Sequence, residues 1–157
     1  MMKTRIAIPL LLVAVASLLA AGCGGGKSRN AAYAGSKTEF AKALDSICAA
    51  TNEAGKSLDL SSMSALAANG DQAQELLSSM AEKIDNLEPP DEVKTQTESF
   101  VEGLRNEADK FGEVTQAAKD GDEDKVKSLQ SELQSDSAAT SEDARFIGAE
   151  GCARLFS

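Results

Sequence analysis

Three cysteines, Cys23, Cys48 and Cys152, are the residues of this 157-residue chain whose chemistry stands out, because the sequence contains no histidine. A thiol can be acylated, oxidised to a disulfide or used as a metal ligand. Without histidine, the Ser-His-Asp and Cys-His catalytic arrangements and the usual proton shuttle near neutral pH are excluded. Cys48 and Cys152 are far apart in the sequence and form no Cys-x-x-Cys motif. We therefore expect structural or anchoring roles for the cysteines rather than catalytic ones.

Carboxylates are the abundant reactive groups of the chain, with 25 aspartates and glutamates. Two carboxylates can hydrolyse a glycosidic bond when a shaped cleft keeps one of them protonated. Nearly all of the acids here fall on predicted solvent faces or at helix ends, which is typical of a solvated helix surface. We therefore predict no catalytic residue and no cofactor.

The densest acidic run is DGDEDK at residues 120–125. Its three aspartates have the spacing of the first ligands of a calcium loop. Lys125 stands where such a loop needs glycine, and Ser131 stands where it needs glutamate. The run is better interpreted as a link between two helices, in which Gly121 ends one helix and Asp122 caps the next. We predict no metal site.

A basic start and an apolar stretch open the chain. The first residues are MMKTR, and residues 6–21, IAIPLLLVAVASLLAA, carry no charge. This order, followed by small residues, is typical of an export signal. The alternative is a retained membrane-spanning helix, but at about 1.5 Å per residue the stretch reaches only about 24 Å, which is short of a hydrocarbon core of roughly 30 Å. We therefore predict a signal peptide over residues 1–22.

The residues that end this stretch, Ala20, Ala21, Gly22 and Cys23, resemble the lipobox of bacterial lipoproteins. Leu19 lies four residues before the cysteine rather than the usual three. In that family a diacylglycerol is added to the thiol and the chain is then cut before the cysteine. The resemblance implies that acyl chains on Cys23 bind the lipid bilayer and hold the protein at the extracytoplasmic face of the cell membrane. Two or more acyl chains give stable anchoring, whereas one holds a protein only marginally.

The number of cysteines agrees with this interpretation. An exported chain with three cysteines has one thiol without an intramolecular partner. If Cys23 carries lipid, Cys48 and Cys152 can form a disulfide, which an oxidising envelope permits. The alternative is a pair of buried free thiols. We expect the bridge, and we expect Gly148 and Gly151 to let the C-terminal segment turn and run along the first helix to Cys48.

Removal of residues 1–22 leaves 135 residues, with 14 Lys and Arg against 25 Asp and Glu and a net charge of −11. Such a chain has no basic stripe to neutralise phosphates, so we expect no nucleic-acid partner. Residues 23–36 contain the cysteine and the small polar run GGGKSRNAAYAGS, which predicts a flexible linker. A helical domain is predicted over residues 37–157.

Four amphipathic segments are predicted in this domain. The first begins at Ser36, which forms a capping box with Glu39. The second begins after Asn69-Gly70, with a shorter helical lead-in over residues 61–68, and ends before Pro89-Pro90. The third has Pro90 at its first position and ends at Gly121, and the fourth runs from Asp122 to Ile147 through a midsection of small residues.

The composition favours an all-α fold. Strong helix formers dominate the domain, and its few valines and isoleucines form no alternating run. Four amphipathic helices joined by short connections predict an up-down-up-down four-helix bundle, in which the first and fourth helices are antiparallel neighbours.

We expect a membrane-anchored extracytoplasmic lipoprotein whose helical domain is non-enzymatic and binds an envelope protein or peptide. The cysteine pair, the proline-bounded middle and the closing GCARLF at residues 151–156 also loosely resemble small secreted actinobacterial lipoproteins of unknown function. Two alternatives stay open. A carrier or sensor of a small ligand or cation would have an apolar pocket with inward acids rather than a filled core. A carboxylate-only hydrolase would have two acids facing each other in a cleft.

Overall fold

The computed structural model describes residues 35–157. The described residues form helices and no strand, which confirms the all-α class. The predicted signal peptide, Cys23 and all but the last two residues of the predicted linker lie outside the described range. The helices in this range are α1 (Lys37–Gly55), α2 (Met63–Asp85), α3 (Lys94–Asp120), α4 (Glu123–Ile147) and α5 (Glu150–Leu155), with a short 3₁₀ helix (Asp91–Val93) before α3.

Several helix boundaries lie where the sequence predicts them. At the start of α1 the Glu39 amide donates to the Ser36 hydroxyl at 3.4 Å, and the Ser36 amide donates to the Glu39 carboxylate at 2.9 Å. Gly121 ends α3 in the left-handed region, with φ of 75°. The Asp122 carboxylate then caps α4 by accepting from the Lys125 amide at 3.0 Å. α4 is continuous through its small-residue midsection, as predicted.

The predicted start of the second helix is wrong, because α2 runs unbroken through Asn69 and Gly70. Its cap is Ser62, whose hydroxyl accepts from the Ala65 amide at 3.2 Å. Gly70 is buried inside the helix against Thr115 of α3, and a Cβ at this position would overlap the threonine side chain. The Asn69 side chain donates to the Asp59 carbonyl at 2.9 Å. Gly70 therefore allows close packing of α2 against α3, Asn69 holds the loop before α2, and neither residue ends a helix.

The predicted start of the third helix at Pro90 also needs correction. α2 ends at Asp85, before the two prolines, and the Asn86 side chain donates to the Glu82 carbonyl at 2.7 Å. Pro90 precedes the 3₁₀ helix, and α3 itself begins at Lys94. Pro90 has a ψ of 146°, which is extended rather than helical, so it precedes this single tight turn and stays outside α3.

The antiparallel arrangement of α2 and α3 is visible in the ion pairs that connect them. Lys119 near the end of α3 pairs with Asp71 near the start of α2 at 2.8 Å, whereas Arg105 in the first half of α3 pairs with Asp85 at the end of α2 at 2.6 Å. α5 contacts both α1 and α4, so the first and fourth helices meet mainly through this short helix rather than directly.

The core is divided into two clusters along the bundle. The first cluster lies where α1 and α5 cover the other helices, and the second lies where the N-terminal part of α2 meets α3 and α4. The first contains Phe40, Leu44, Cys48, Met80, Ile84, Phe100, Leu104, Ala144, Ile147 and Cys152. The second contains Leu66, Val114, Ala117, Ala118, Val126 and Leu129. The described residues thus form an all-α helical bundle in which α2, α3 and α4 pack in chain order and α1 and α5 complete it around the first cluster.

Candidate functional site

The disulfide predicted between Cys48 and Cys152 is present. It joins α1 to α5, with the two Cα atoms 5.2 Å apart, and both cysteines are buried in the first core cluster. This separation lies within the usual range for a disulfide. The bridge fixes the C-terminal segment along α1, as the sequence predicts.

Asp45 holds the same junction by hydrogen bonds. Its Oδ1 atom accepts from the backbone amides of Gly151 at 2.7 Å and Cys152 at 3.1 Å, so a carboxylate on α1 caps the first turn of α5. The turn before α5 is made by Gly148, whose φ is 92°. Gly151 has a different role from the predicted one. A Cβ there would lie 2.8 Å from Asp45 Oδ1, so glycine provides room for the carboxylate.

The structure brings together two of the three predicted site residues. Cys48 and Cys152 bond to each other, so neither is available to pair with Cys23. The predicted lipidation site, Cys23, lies outside the described residues.

An apolar groove opens near the C-terminal end of α1 and has a volume of about 400 Å³. Its lining is mostly apolar and comes from the α1–α2 loop, α2, α3 and the C-terminal residues, and polar residues at the end of α1 and directly after it complete the lining. The polar residues are Thr51, Asn52 and Lys56. The apolar residues are Leu58, Leu60, Ala73, Leu76, Leu77, Phe111, Leu155 and Phe156.

The groove follows from the division of the core. α1 ends at Gly55, whereas α2 and α3 extend further, to the second core cluster. The loop between α1 and α2 therefore crosses the part of the bundle that α1 does not reach. Phe156 at one wall is held by an edge-to-face contact with Phe100, at a ring-centroid distance of 6.2 Å. The sequence gives no sign of this groove, because its walls are formed by segments far apart in the chain.

A second groove, of about 530 Å³, lies between α3 and α4 and is acidic. Its lining includes Glu102, Asp109, Glu113, Asp136 and Asp143. Two of these carboxylates have donors in the fold. Lys110 donates to Asp136 at 2.7 Å and Ser99 donates to Asp143 at 2.7 Å.

Glu107 is the exception to the expectation that the acids face solvent. It lies on α3 with only 3% of its surface exposed, and its Oε1 atom has no hydrogen-bond partner. Burial raises the pKa of the Glu107 carboxyl above its ordinary value, although the nearby hydroxyls of Thr140 and Ser137 on α4 act in the opposite direction. Glu107 does not line the acidic groove between α3 and α4.

The polar midsection of α4 packs near this carboxyl. Thr140 and Ser141 are buried although their types are polar, and the Ser141 hydroxyl donates to the Ala153 carbonyl of α5 at 2.9 Å. The small-residue midsection of α4 therefore forms a polar layer in the interior of the bundle. Glu107 could have been noticed from its place on α3, because it lies three residues after the core residue Leu104 and four before Phe111, on the same face of the helix.

The acidic run 120–125 forms the predicted link between α3 and α4. Asp122 caps α4, and Asp120 accepts a hydrogen bond from Gln116 at 2.9 Å. Within residues 35–157, no three Cys, Asp or Glu side chains are arranged so that they could hold a metal ion. In the same range, none of the helices combines the length and apolar character needed to cross a membrane.

Comparison with known proteins gives no relative. No protein-family model, no curated protein sequence and no solved structure matches this chain.

Proposed function

We propose that the protein is a lipid-anchored extracytoplasmic lipoprotein whose helical domain is a non-enzymatic binding module at the outer face of the cell membrane. Acyl chains on Cys23 hold it at the bilayer, and the linker lets the domain reach a protein or peptide of the envelope.

The bond between Cys48 and Cys152 is the observation that carries this proposal. A buried structural disulfide is typical of proteins that fold in an oxidising compartment, which agrees with the export signal read from the sequence. Because the two cysteines use each other, Cys23 is left as the cysteine available for acylation.

The described side chains also support a non-enzymatic role. The chain has no histidine, and the buried carboxyl whose pKa is raised, Glu107, lies outside the acidic groove. A carboxylate-only hydrolase needs its protonated acid in the cleft with the second carboxylate. The acids of this groove fit a solvated surface better.

Labelling of producing cells with palmitate tests the anchor. The wild-type chain is expected to incorporate the label, and Cys23→Ala is expected to lose it. The double variant Cys48→Ala/Cys152→Ala is the matched control. It removes the other two thiols but keeps Cys23, so it should keep the label. Equal labelling of the wild type and Cys23→Ala would refute the anchor.

A second candidate function is the carrier of a small ligand. The filled interior of the described residues is not what was expected of such a carrier, and the apolar groove beside α1 is the observation that favours it. The interior itself is filled by two core clusters, so a ligand would bind in the groove rather than at the centre of the bundle. The groove has no carboxylate in its lining, which favours an apolar ligand over a cation.

A further inference from the structure

The apolar groove collects half-buried hydrophobic side chains from separate segments. Leu58 and Leu60 in the α1–α2 loop, Leu76 and Leu77 on α2, and Phe111 on α3 are each partly exposed and line the same space. Binding of an apolar ligand is favourable when it removes the remaining exposed surface of leucine and phenylalanine side chains from water. The volume of about 400 Å³ lies within the range of small-molecule sites, roughly 300 to 1,000 Å³.

The charge of the groove differs from that of the protein. The chain carries 25 acidic residues against 16 basic ones, yet none of the groove residues is acidic and one of them, Lys56, is basic. The Lys56 ammonium contacts Glu53 at 2.6 Å, but both side chains are largely exposed. An exposed pair of this kind is weak, and an ammonium has further donors for a second acceptor.

We propose that this groove binds the hydrocarbon chain of a long-chain fatty acid, with the carboxylate beside Lys56. The inference rests on the second candidate function, since it names the ligand of that carrier. Among the polar residues of the lining, Lys56 supplies the positive charge that pairs with the carboxylate, and the leucines and phenylalanines of the lining contact the hydrocarbon chain.

A photoreactive palmitic acid analogue with a diazirine in its chain tests the proposal in cells that produce the full chain. After irradiation, mass spectrometry should find the label on peptides that contain Leu58, Leu76 or Phe111. The same experiment is done with Cys23→Ala, because the analogue can also be attached at Cys23. Groove labelling in this variant is independent of the anchor, so failure of the anchor and failure of the groove are separate results.

Two groove variants sharpen the test. Leu76→Gln should lower groove labelling about fivefold, because it replaces an apolar contact with a polar one. The matched control is Leu133→Gln, a half-buried leucine on α4 outside the groove, which should leave labelling unchanged. Lys56→Gln should lower labelling by the fatty acid about twofold to fivefold and leave labelling by the corresponding fatty alcohol unchanged. Circular dichroism spectra should be the same for all three variants.

The proposal is overturned by label that avoids the groove peptides, or by equal groove labelling in Leu76→Gln and Leu133→Gln. It is also overturned if labelling disappears in Cys23→Ala, since the groove would then receive the anchor's own acyl chain. A crosslink between two copies of the chain through the groove would assign it to self-association instead.

Discussion

The Asp45 carboxylate on α1 accepts a hydrogen bond from the Cys152 amide on α5, next to the disulfide that joins the same two helices. A six-residue helix has little stability by itself, so α5 depends on this cap and on the bridge. Asp45→Ala should lower the free energy of unfolding by about 1 to 2 kcal/mol, because two amides at the start of α5 lose their acceptor. Urea unfolding followed by circular dichroism measures the change.

The control for this prediction is Glu53→Ala, which removes an exposed partner of Lys56 on the same helix. Its effect should be below about 0.5 kcal/mol, because exposed ion pairs contribute little. Equal effects of the two substitutions would mean that the Asp45 cap does not stabilise α5.

Loss of the disulfide should have a larger effect. The bridge closes a loop with a sequence separation of 104 residues, and its removal in Cys48→Ala/Cys152→Ala should cost roughly 2 to 5 kcal/mol. Unfolding in urea with and without reductant measures this. The wild type should respond to the reductant, and the double variant should not. A wild type indifferent to reductant would argue against a stabilising bridge.

Gly70 is predicted to resist replacement although it lies inside a helix. Gly70→Ala should lower stability by about 1 to 3 kcal/mol, because the new Cβ would overlap the Thr115 side chain. Gly55→Ala is the matched control, since nothing lies within 4 Å of a Cβ there and its φ is not positive. That variant should be as stable as the wild type or up to about 1 kcal/mol more stable. A stabilising Gly70→Ala would show that α2 and α3 are packed less closely at this position.

Glu107 should make stability depend on pH. Its pKa is raised in the folded protein, so the folded state binds the proton more tightly than the unfolded state does. The stabilisation is complete below the unfolded pKa of about 4.3 and is lost as pH rises through the raised folded pKa. Glu107→Gln should therefore be more stable than the wild type at neutral pH, by on the order of 1 kcal/mol, with a smaller difference in acid.

Urea unfolding of the wild type and of Glu107→Gln, at pH values from below the unfolded pKa up to neutral, checks the sign of this stability difference. Glu102→Gln is the matched control, because Glu102 is an exposed residue of the same helix. At neutral pH it should change the free energy of unfolding by less than about 0.5 kcal/mol, as is usual for an exposed position. A Glu107→Gln difference that grows in acid would contradict the raised pKa.

The sequence predicts the features of this fold that depend on local chemistry or on pairing. The Ser36 capping box, the end of α3 at Gly121 and the bridge between Cys48 and Cys152 are all confirmed. Each prediction needed only neighbouring residue types or the number of cysteines.

The features that the sequence does not predict depend on distant contacts. Asn69-Gly70 has the composition of a break, but the close approach of Thr115 requires glycine within a continuous helix. α5 is too short for periodicity to reveal, and the burial of Glu107 depends on the polar face of α4. The apolar groove depends on where α1 ends relative to α2 and α3, which no local pattern records.

The most direct test of the anchored-lipoprotein account is the mass of the N-terminal peptide of the protein isolated from membranes. The account predicts a mature chain that begins at Cys23 and carries a diacylglyceryl group on the thiol, while Cys23→Ala keeps residues 1–22 and gains no lipid. A wild-type chain that retains residues 1–22, or that begins elsewhere with an unmodified Cys23, would contradict it.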